Sequence, residues 1–412
     1  MTVQALSPLT ELTVLSKYAG ERFDWIQAGG GNTSIKTEDG ALWVKASGVA
    51  LSEVHATDAQ SVQGLCCLDN ASLMGAINLL ARRQSHAPLQ KSELEAAAQQ
   101  ALLVASRRRK EAEQAERDRD RDTNEPQPEN EPSVGREPEI STRQQARPSI
   151  ETWLHAQLGT VVLHTHPLCV TALACQPNWQ MRFEAQLANV VDELIFVPYA
   201  TPGIELALVL QQSLRMAEWT REKPAVIILQ NHGLITSGPS VEAVLTLTET
   251  VTQELTQQSP LYEHLHPYRL TNQISGLVDA MVADEPCISW LCEDRWLNEQ
   301  IAQDPACLNL LPLFPDQLVY CGPEALCLET LEDNSPVLAY KLKHRQYPRV
   351  VRYQQWLFTI GKHVKACREI ESVLKAHLLT YVAGGERSQP LSAEEMAYLM
   401  GWEAEHYRQQ NG

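Results

Sequence analysis

The stretch Gly159-Thr160-Val161-Val162-Leu163-His164-Thr165-His166-Pro167 decides how this chain is read. Its β-branched and apolar run predicts a buried strand finished by two histidines, and residues two apart on a strand project from one face. His164 and His166 can then grip one ion. A second run, Ala225-Val226-Ile227-Ile228-Leu229-Gln230, predicts another strand, and Asn231-His232-Gly233 follows it with a glycine that permits a sharp turn. His232 therefore stands where a strand leaves its sheet. Three neutral imidazoles suit zinc or another late first-row ion and leave a fourth position for substrate or water. Taken singly, each is an ordinary core histidine; the H-x-H spacing at one strand end with a third histidine at another favours a metal site. The string repeats at His264-Leu265-His266-Pro267, but in a polar, tyrosine-containing stretch with no buried strand before it. That copy reads as a surface loop outside the site.

With 412 residues and a 44% hydrophobic share, the chain can bury a substantial core and has room for two or three domains. No run of about 18 apolar residues is present, which argues against a membrane span. The N-terminal Met1-Thr2-Val3-Gln4-Ala5-Leu6 lacks a basic region followed by an apolar one, so a cytoplasmic location is expected. Ten cysteines without a CxxC pair fit reduced thiols better than a disulfide framework. A net charge of −17 argues against a nucleic-acid surface while leaving small anionic substrates open, since those respond to local potential.

Residues 8–90 alternate short apolar runs with turns and read as mixed α/β. Lys91 to Lys110 is helical by propensity, and Glu111 to Asp122 continues it with alternating charges. A charged insert of about 106–143 interrupts the domain, and its part from 123 to 143, rich in proline and glutamate, reads as a disordered surface loop. Beyond the insert the pattern predicts helices over Phe183 to Val190, Gly203 to Met216 and Val241 to Gln257, with a strand at Leu194 to Val197. Residues 1–258 form the first domain in this reading. A C-terminal α+β region of unknown role covers 259–412, with strands at Gln317 to Tyr320, Val337 to Tyr340 and Val350 to Ile360 and a helix from Lys362 to Leu379. Ser392 with Glu395 makes a capping-box pattern for a terminal helix reaching Arg408.

Other candidates surround the histidines. Glu151 falls in the first turn of a helix that feeds the histidine strand, where the dipole keeps a carboxylate ionised as ligand or base. His155, four residues on, shares its face and reads as a packing or orienting neighbour. The Gly29-Gly30-Gly31-Asn32-Thr33-Ser34 loop brings backbone amides and Asn32 toward an anion, Lys45-Ala46-Ser47-Gly48 offers a second small-residue turn, and Ser149 precedes the Glu151 helix. Convergence of the three would make a phosphate pocket.

In this order Gly29-Gly30-Gly31-Asn32-Thr33-Ser34, Lys45-Ala46-Ser47-Gly48, Pro148-Ser149-Ile150-Glu151-Thr152, His164-Thr165-His166-Pro167, Pro198-Tyr199-Ala200-Thr201-Pro202-Gly203 and Asn231-His232-Gly233-Leu234 resemble the motifs of the class II aldolase/adducin family. The versions here are most similar to the rhamnulose-1-phosphate aldolase-like branch. No GxGxxG loop follows, so the dehydrogenase module fused to some such proteins is not evident. The resemblance covers roughly residues 10–257 and implies a three-layer α/β/α domain. It makes His164, His166 and His232 ligands of a divalent metal, most simply Zn2+, and Glu151 the acid/base residue that also reaches the metal. It places Asn32, Ser47, Gly48 and Ser149 at the phosphate, although Ile150 stands where many sugar-phosphate members carry a second serine. The implied activity is metal-dependent carbon-carbon cleavage of a sugar or sugar-acid phosphate through an enediolate. Epimerase, dehydratase or decarboxylase chemistry on the same site, or a non-catalytic adducin-like binding role, are the alternatives. A homotetramer is implied, with a tyrosine borrowed from a neighbour's C-terminal part; Tyr381 is the candidate.

Overall fold

The computed structural model describes residues 6–58, 61–123, 147–279 and 287–401. The chain divides into two compact units, Met1–Leu15 with Gly29–Leu255 and Ser16–Ala28 with Thr256–Gly412. Strands of the first unit are β1 (Asn32–Lys36), β2 (Ala41–Lys45), β3 (His55–Asp58), β4 (Ser61–Gln63), β5 (Leu65–Asp69), β6 (Val161–Thr165), β7 (Leu194–Val197), β8 (Ala225–Leu229) and β9 (Gly233–Gly238). Its helices are α1 (Pro8–Gly20), whose residues from Ser16 fall in the second unit, α2 (Asn70–His86), α3 (Lys91–Thr123), α4 (Thr152–Gln157), α5 (Leu168–Ala174), α6 (Trp179–Leu187), α7 (Ile204–Met216) and α8 (Val241–Gln257). β3 and β4 form a separate hairpin; the other strands make one sheet ordered β5-β2-β1-β6-β9-β8-β7. Every neighbouring pair in it is antiparallel except β7 with β8.

β8 shows why this unit has three layers. All five of its residues are buried, so water reaches neither face of the strand. Ala225, Ile227 and Leu229 pack with α2, α3, α4 and α7 through residues such as Leu73, Ala98, Leu154 and Leu210. Val226 and Ile228 point the other way and pack with α5, α6 and α8 through Val170, Phe183 and Val251. The α/β/α architecture implied by the sequence is therefore present. Val162 of β6 lies on the α4 side, and His164, two residues on, shares that face.

The second unit holds β10 (Ile288–Leu291), β11 (Leu326–Leu328), β12 (Val350–Tyr353) and β13 (Trp356–Gly361) in one sheet ordered β10-β13-β12-β11. Around it lie α9 (Tyr262–Asp279), α10 (Arg295–Gln303), α11 (Pro315–Cys321), α12 (Ser335–His344) and α13 (Val364–Gly384). Val351 and Phe358 pack with Leu270 and Ile274 of α9, whereas Val350 and Leu357 pack with Ile370 and Leu374 of α13. Within this unit Ser16–Ala28 contributes a buried polar knot. The Glu21 carboxylate accepts from Ser275 Oγ at 2.7 Å, from Ser289 N at 2.7 Å and from Asn272 Nδ2. Arg22 donates to both carboxylate oxygens of Asp24 and to Asn272 Oδ1, with its guanidinium 4.3 Å above the Trp25 ring centre.

Several elements differ from the sequence expectation. Gln317 to Tyr320 and Val337 to Tyr340 are helical, in α11 and α12, rather than strands. Each helix carries a proline in its first turn, and each buries residues three apart, Leu318 with Cys321 and Val337 with Tyr340. The single strand expected over Val350 to Ile360 is the hairpin β12-β13, reversed at Gln354, whose φ is 55°. His264-Leu265-His266-Pro267 lies in α9 and not in a surface loop, because Leu265, Leu270, Ile274 and Val278 supply it with a buried face. The helix expected from Phe183 runs instead over Trp179–Leu187, entered through Asn178 in the left-handed region at φ 56°. The charged stretch from 106 continues α3 as helix to Thr123, with Arg109 and Glu113 paired one turn apart at 3.1 Å; the remainder of the expected disordered loop lies outside the described residues. β7 and α8 have the expected bounds. The terminal helix is seen over residues 393–401 with the reciprocal Ser392-Glu395 cap, and its expected extension to Arg408 lies outside the described residues.

Candidate metal centre

His164 lies near the end of β6, His166 follows the strand, and His232 sits in the turn between β8 and β9. The turn is tight because Asn231 adopts φ 53° and Gly233 leaves no Cβ against the Thr165 carbonyl and the His166 ring. Glu151 is the N-cap residue of α4, on the sheet face that His164 shares. One ligand atom from each of Glu151, His164, His166 and His232 lies within 4.8 Å of the other three. His164 Nε2 is 3.1 Å from His166 Nε2 and 3.3 Å from His232 Nε2, and Glu151 Oε1 is 3.3 Å from both His164 Nε2 and His232 Nε2.

Those distances test whether a cation fits. His164 Nδ1 faces the Leu234 carbonyl oxygen at 2.9 Å, so it carries the hydrogen and donates it. In its neutral form His164 then aims a bare Nε2 at two further ring nitrogens and at a carboxylate oxygen. Four lone-pair atoms facing one another repel unless positive charge stands among them. The donor set of three imidazoles and one carboxylate suits a divalent late first-row ion, and the decoy histidines His264 and His266 are not part of it.

Electrostatics show the same demand for positive charge among these groups. Burial alone would raise the Glu151 carboxyl, but the His164 and His232 imidazoles beside it hold it well below the usual carboxylate range. Burial opposes charge on His164, and Glu151 and the Leu234 carbonyl outweigh it, raising that group. Burial, with His164 and His232 nearby, pushes His166 down to about 3, so it is a neutral donor at physiological pH.

Asn32 of β1 stands directly across from His164 of β6 in the ladder, is fully buried, and neither of its side-chain polar atoms has a partner. An amide left bare beside the centre is poised to bind something the protein does not itself supply. Ser47 and Ser149 come together through an Ala46-Pro148 bridge and a bond from Ser47 N to the Arg147 carbonyl at 2.8 Å. Gly48 turns the first of these segments at φ 79°, and Ser149 Oγ accepts from Glu151 N at 3.3 Å. Lys45 ties the glycine loop to this turn by reaching the Gly29 carbonyl at 3.5 Å and the Val49 carbonyl at 2.7 Å. Ile150, at the position of the absent second serine, points outward at 59% exposure. Tyr381 donates to the Leu311 carbonyl within the second unit.

Three groups escaped the sequence reading. Lys36 of β1 donates to the carbonyls of His155, Leu158 and Gly159 at 2.7–2.8 Å, and burial followed by the Arg221 charge pushes its pKa down to about 7. Arg221 donates to the Gln157 carbonyl at 3.1 Å and the Ala156 carbonyl at 3.5 Å. Two basic side chains thus hold the C-terminal end of the helix that Glu151 caps. Ser34 is the third, bound to His155 Nδ1 at 2.7 Å; burial depresses His155 to about 3. A lysine at the end of the buried Asn32-Thr33-Ser34-Ile35 run was the one visible signal.

The profile of the Class II Aldolase and Adducin N-terminal domain matches residues 122–258. Among curated proteins, YuxG of Bacillus subtilis (strain 168), described as an uncharacterized oxidoreductase, is 34% identical over 114 residues, 27% of this chain. The match spans 15% of that relative's length. Among solved structures, the N-terminal class II aldolase domain of a conserved protein from Thermoplasma acidophilum is 20% identical at a TM-score of 0.40, over 62% of this chain and 96% of that one. L-fuculose-1-phosphate aldolase from Thermus thermophilus is 16% identical at a TM-score of 0.31, over 62% of this chain and 98% of that one. No described helix is long and apolar enough to cross a membrane.

Proposed function

Taking as premise the class II aldolase and adducin N-terminal domain that this chain carries at residues 122–258, we propose that the protein is a metal-dependent aldehyde-lyase acting on a sugar or sugar-acid phosphate. The observation that carries the proposal is the meeting of three imidazole nitrogens and the Glu151 carboxylate within 4.8 Å. His164, His166 and His232, with Glu151, would hold the ion, and their chemistry favours zinc. Such an ion, when bound, supplies Lewis-acid polarisation of a substrate carbonyl.

The chain's own residues supply the rest. Glu151, kept ionised beside the histidines, moves the proton at the carbon next to the carbonyl, where an enediolate develops as the carbon-carbon bond breaks. Asn32 offers an unpartnered donor and acceptor to orient the substrate's oxygens. Ser47, Gly48 and Ser149 are assigned to the phosphate, supported by the adjacency of their two segments. A homotetramer belongs to the same reading through the resemblance. A cytoplasmic setting is supported by ten cysteines that are all free.

A screen of ketose phosphates and sugar-acid phosphates with zinc or manganese, monitored for release of a three-carbon product, tests the proposal. One substrate is expected to be cleaved, and His232→Ala is expected to abolish both cleavage and stoichiometric metal. Epimerised, dehydrated or decarboxylated products would replace the lyase assignment, and a purified protein that takes up no divalent ion would end the enzyme reading.

A further inference from the structure

Asn32, Ser34 and Lys36 alternate along β1, so their side chains leave one face of it, the face on which the ladder sets Val162 and His164 of β6. Asn32 stands across from His164, Ser34 Oγ lies 2.7 Å from His155 Nδ1, and Lys36 Nζ donates to the His155 carbonyl at 2.8 Å. β1 thus grips His155 twice, once by its ring and once by its backbone. Ser34 and His155 are both fully buried, and the proposed lyase chemistry uses neither.

His155 lies one turn of α4 beyond Glu151, on the same side of the helix. The residues close a ring. One helical turn joins Glu151 to His155, a hydrogen bond joins His155 to Ser34, and two residues of β1 join Ser34 to Asn32. The ladder joins Asn32 to His164, whose Nε2 returns to Glu151 Oε1 at 3.3 Å. Lys36 and Arg221 hold only the C-terminal end of α4, which rises about 9 Å over its six residues. Ties at that end alone leave the end bearing Glu151 free to tilt. Leu154 and Ala156 pack in the core and set how closely α4 lies to the sheet, but apolar contact is non-directional. A hydrogen bond has direction, and the bond between Ser34 and His155 supplies it one turn from Glu151.

We propose, resting on the reading of Glu151, His164, His166 and His232 as a metal centre, that Ser34 and His155 are positioning residues that set how far the Glu151 carboxylate reaches toward the three histidines. They thereby decide whether Glu151 ligates a bound ion. Loss of the bond lets α4 shift along β1 and withdraws the carboxylate, while the imidazoles, carried by β6 and by the turn between β8 and β9, stay in place.

Cobalt(II) titration of the full chain, followed by visible absorption, tests this, because cobalt accepts zinc's ligands and its absorption changes with their number and geometry. Ser34→Ala removes one oxygen atom. It is expected to keep one cobalt per chain, to lower the affinity by about tenfold or more and to shift the absorption. His155→Leu and His155→Asn leave side chains of similar size, and only the second keeps a group able to bond Ser34 Oγ. His155→Asn is expected to hold the parent absorption and His155→Leu to match Ser34→Ala, whereas lost bulk alone would move both alike. Should His155→Leu not fold, Ser34→Ala against His155→Asn carries the comparison. Parent affinity and absorption in Ser34→Ala overturn the proposal and leave the metal centre standing; a full chain that takes up no cobalt overturns both.

Discussion

A Cβ on Gly233 would meet the Thr165 carbonyl oxygen and lie 2.9 Å from His166 Cδ2, so the space that lets His166 turn toward His164 is the space a side chain would fill. The backbone there cannot retreat, because β9 begins at Gly233 and Leu234 next to it pairs with Thr165 of β6 while its carbonyl accepts from His164. Gly233→Ala is expected to lower metal affinity by about tenfold or more and to cost about 1–3 kcal/mol of stability. Metal content and urea unfolding read the two effects; full metal stoichiometry at an unchanged midpoint would show that His166 does not need the space. The three histidines were legible because period-two projection and strand ends are local properties of the chain. The Leu234 carbonyl that fixes the His164 tautomer was not, since a backbone oxygen 70 residues away leaves no mark on sequence pattern.

Six-residue α4 is too short to be stable by itself, because nucleating a helix costs more than so few hydrogen bonds return. Burial of all its residues and the two basic side chains at its C-terminal carbonyls hold it, and through it Glu151. Lys36→Met removes one of these donors and leaves three carbonyls facing apolar atoms. Stability is expected to fall by about 1–3 kcal/mol, and kcat to fall by about tenfold with metal content retained, because the histidines do not depend on α4. A variant with full activity would show that Arg221 and packing suffice. The helix itself was legible from Ser149 and Glu151, whereas α11 and α12 were misread as strands. Short apolar runs fit either period, and the prolines at Pro315 and Pro336 were the discriminating signal.

At the level of the whole molecule, the sequence reading left room for two or three domains and set a boundary between 258 and 259, whereas the two compact units are not divided by one cut along the chain. Ser16–Ala28 belongs with the residues after Thr256, bound there through Asn272, Ser275 and Ser289. Nothing local in Glu21-Arg22-Phe23-Asp24-Trp25 announces partners some 250 residues downstream, which is why the sequence reading placed the segment with its neighbours. A chain ending after Leu255 keeps the Glu21 carboxylate and loses every hydrogen-bond donor named for it. Such a fragment is expected to aggregate or to melt about 10 °C or more below the full chain, and a soluble fragment with the full chain's melting midpoint would contradict this. The same threading imposes an order on biosynthesis. Arg22 leaves the ribosome 250 residues ahead of Asn272, which at about 5–20 residues per second is roughly 12 to 50 s of translation. The second body can close only after the first has been made, and until then its opening strip of charged and aromatic side chains waits as a nascent-chain client for chaperones.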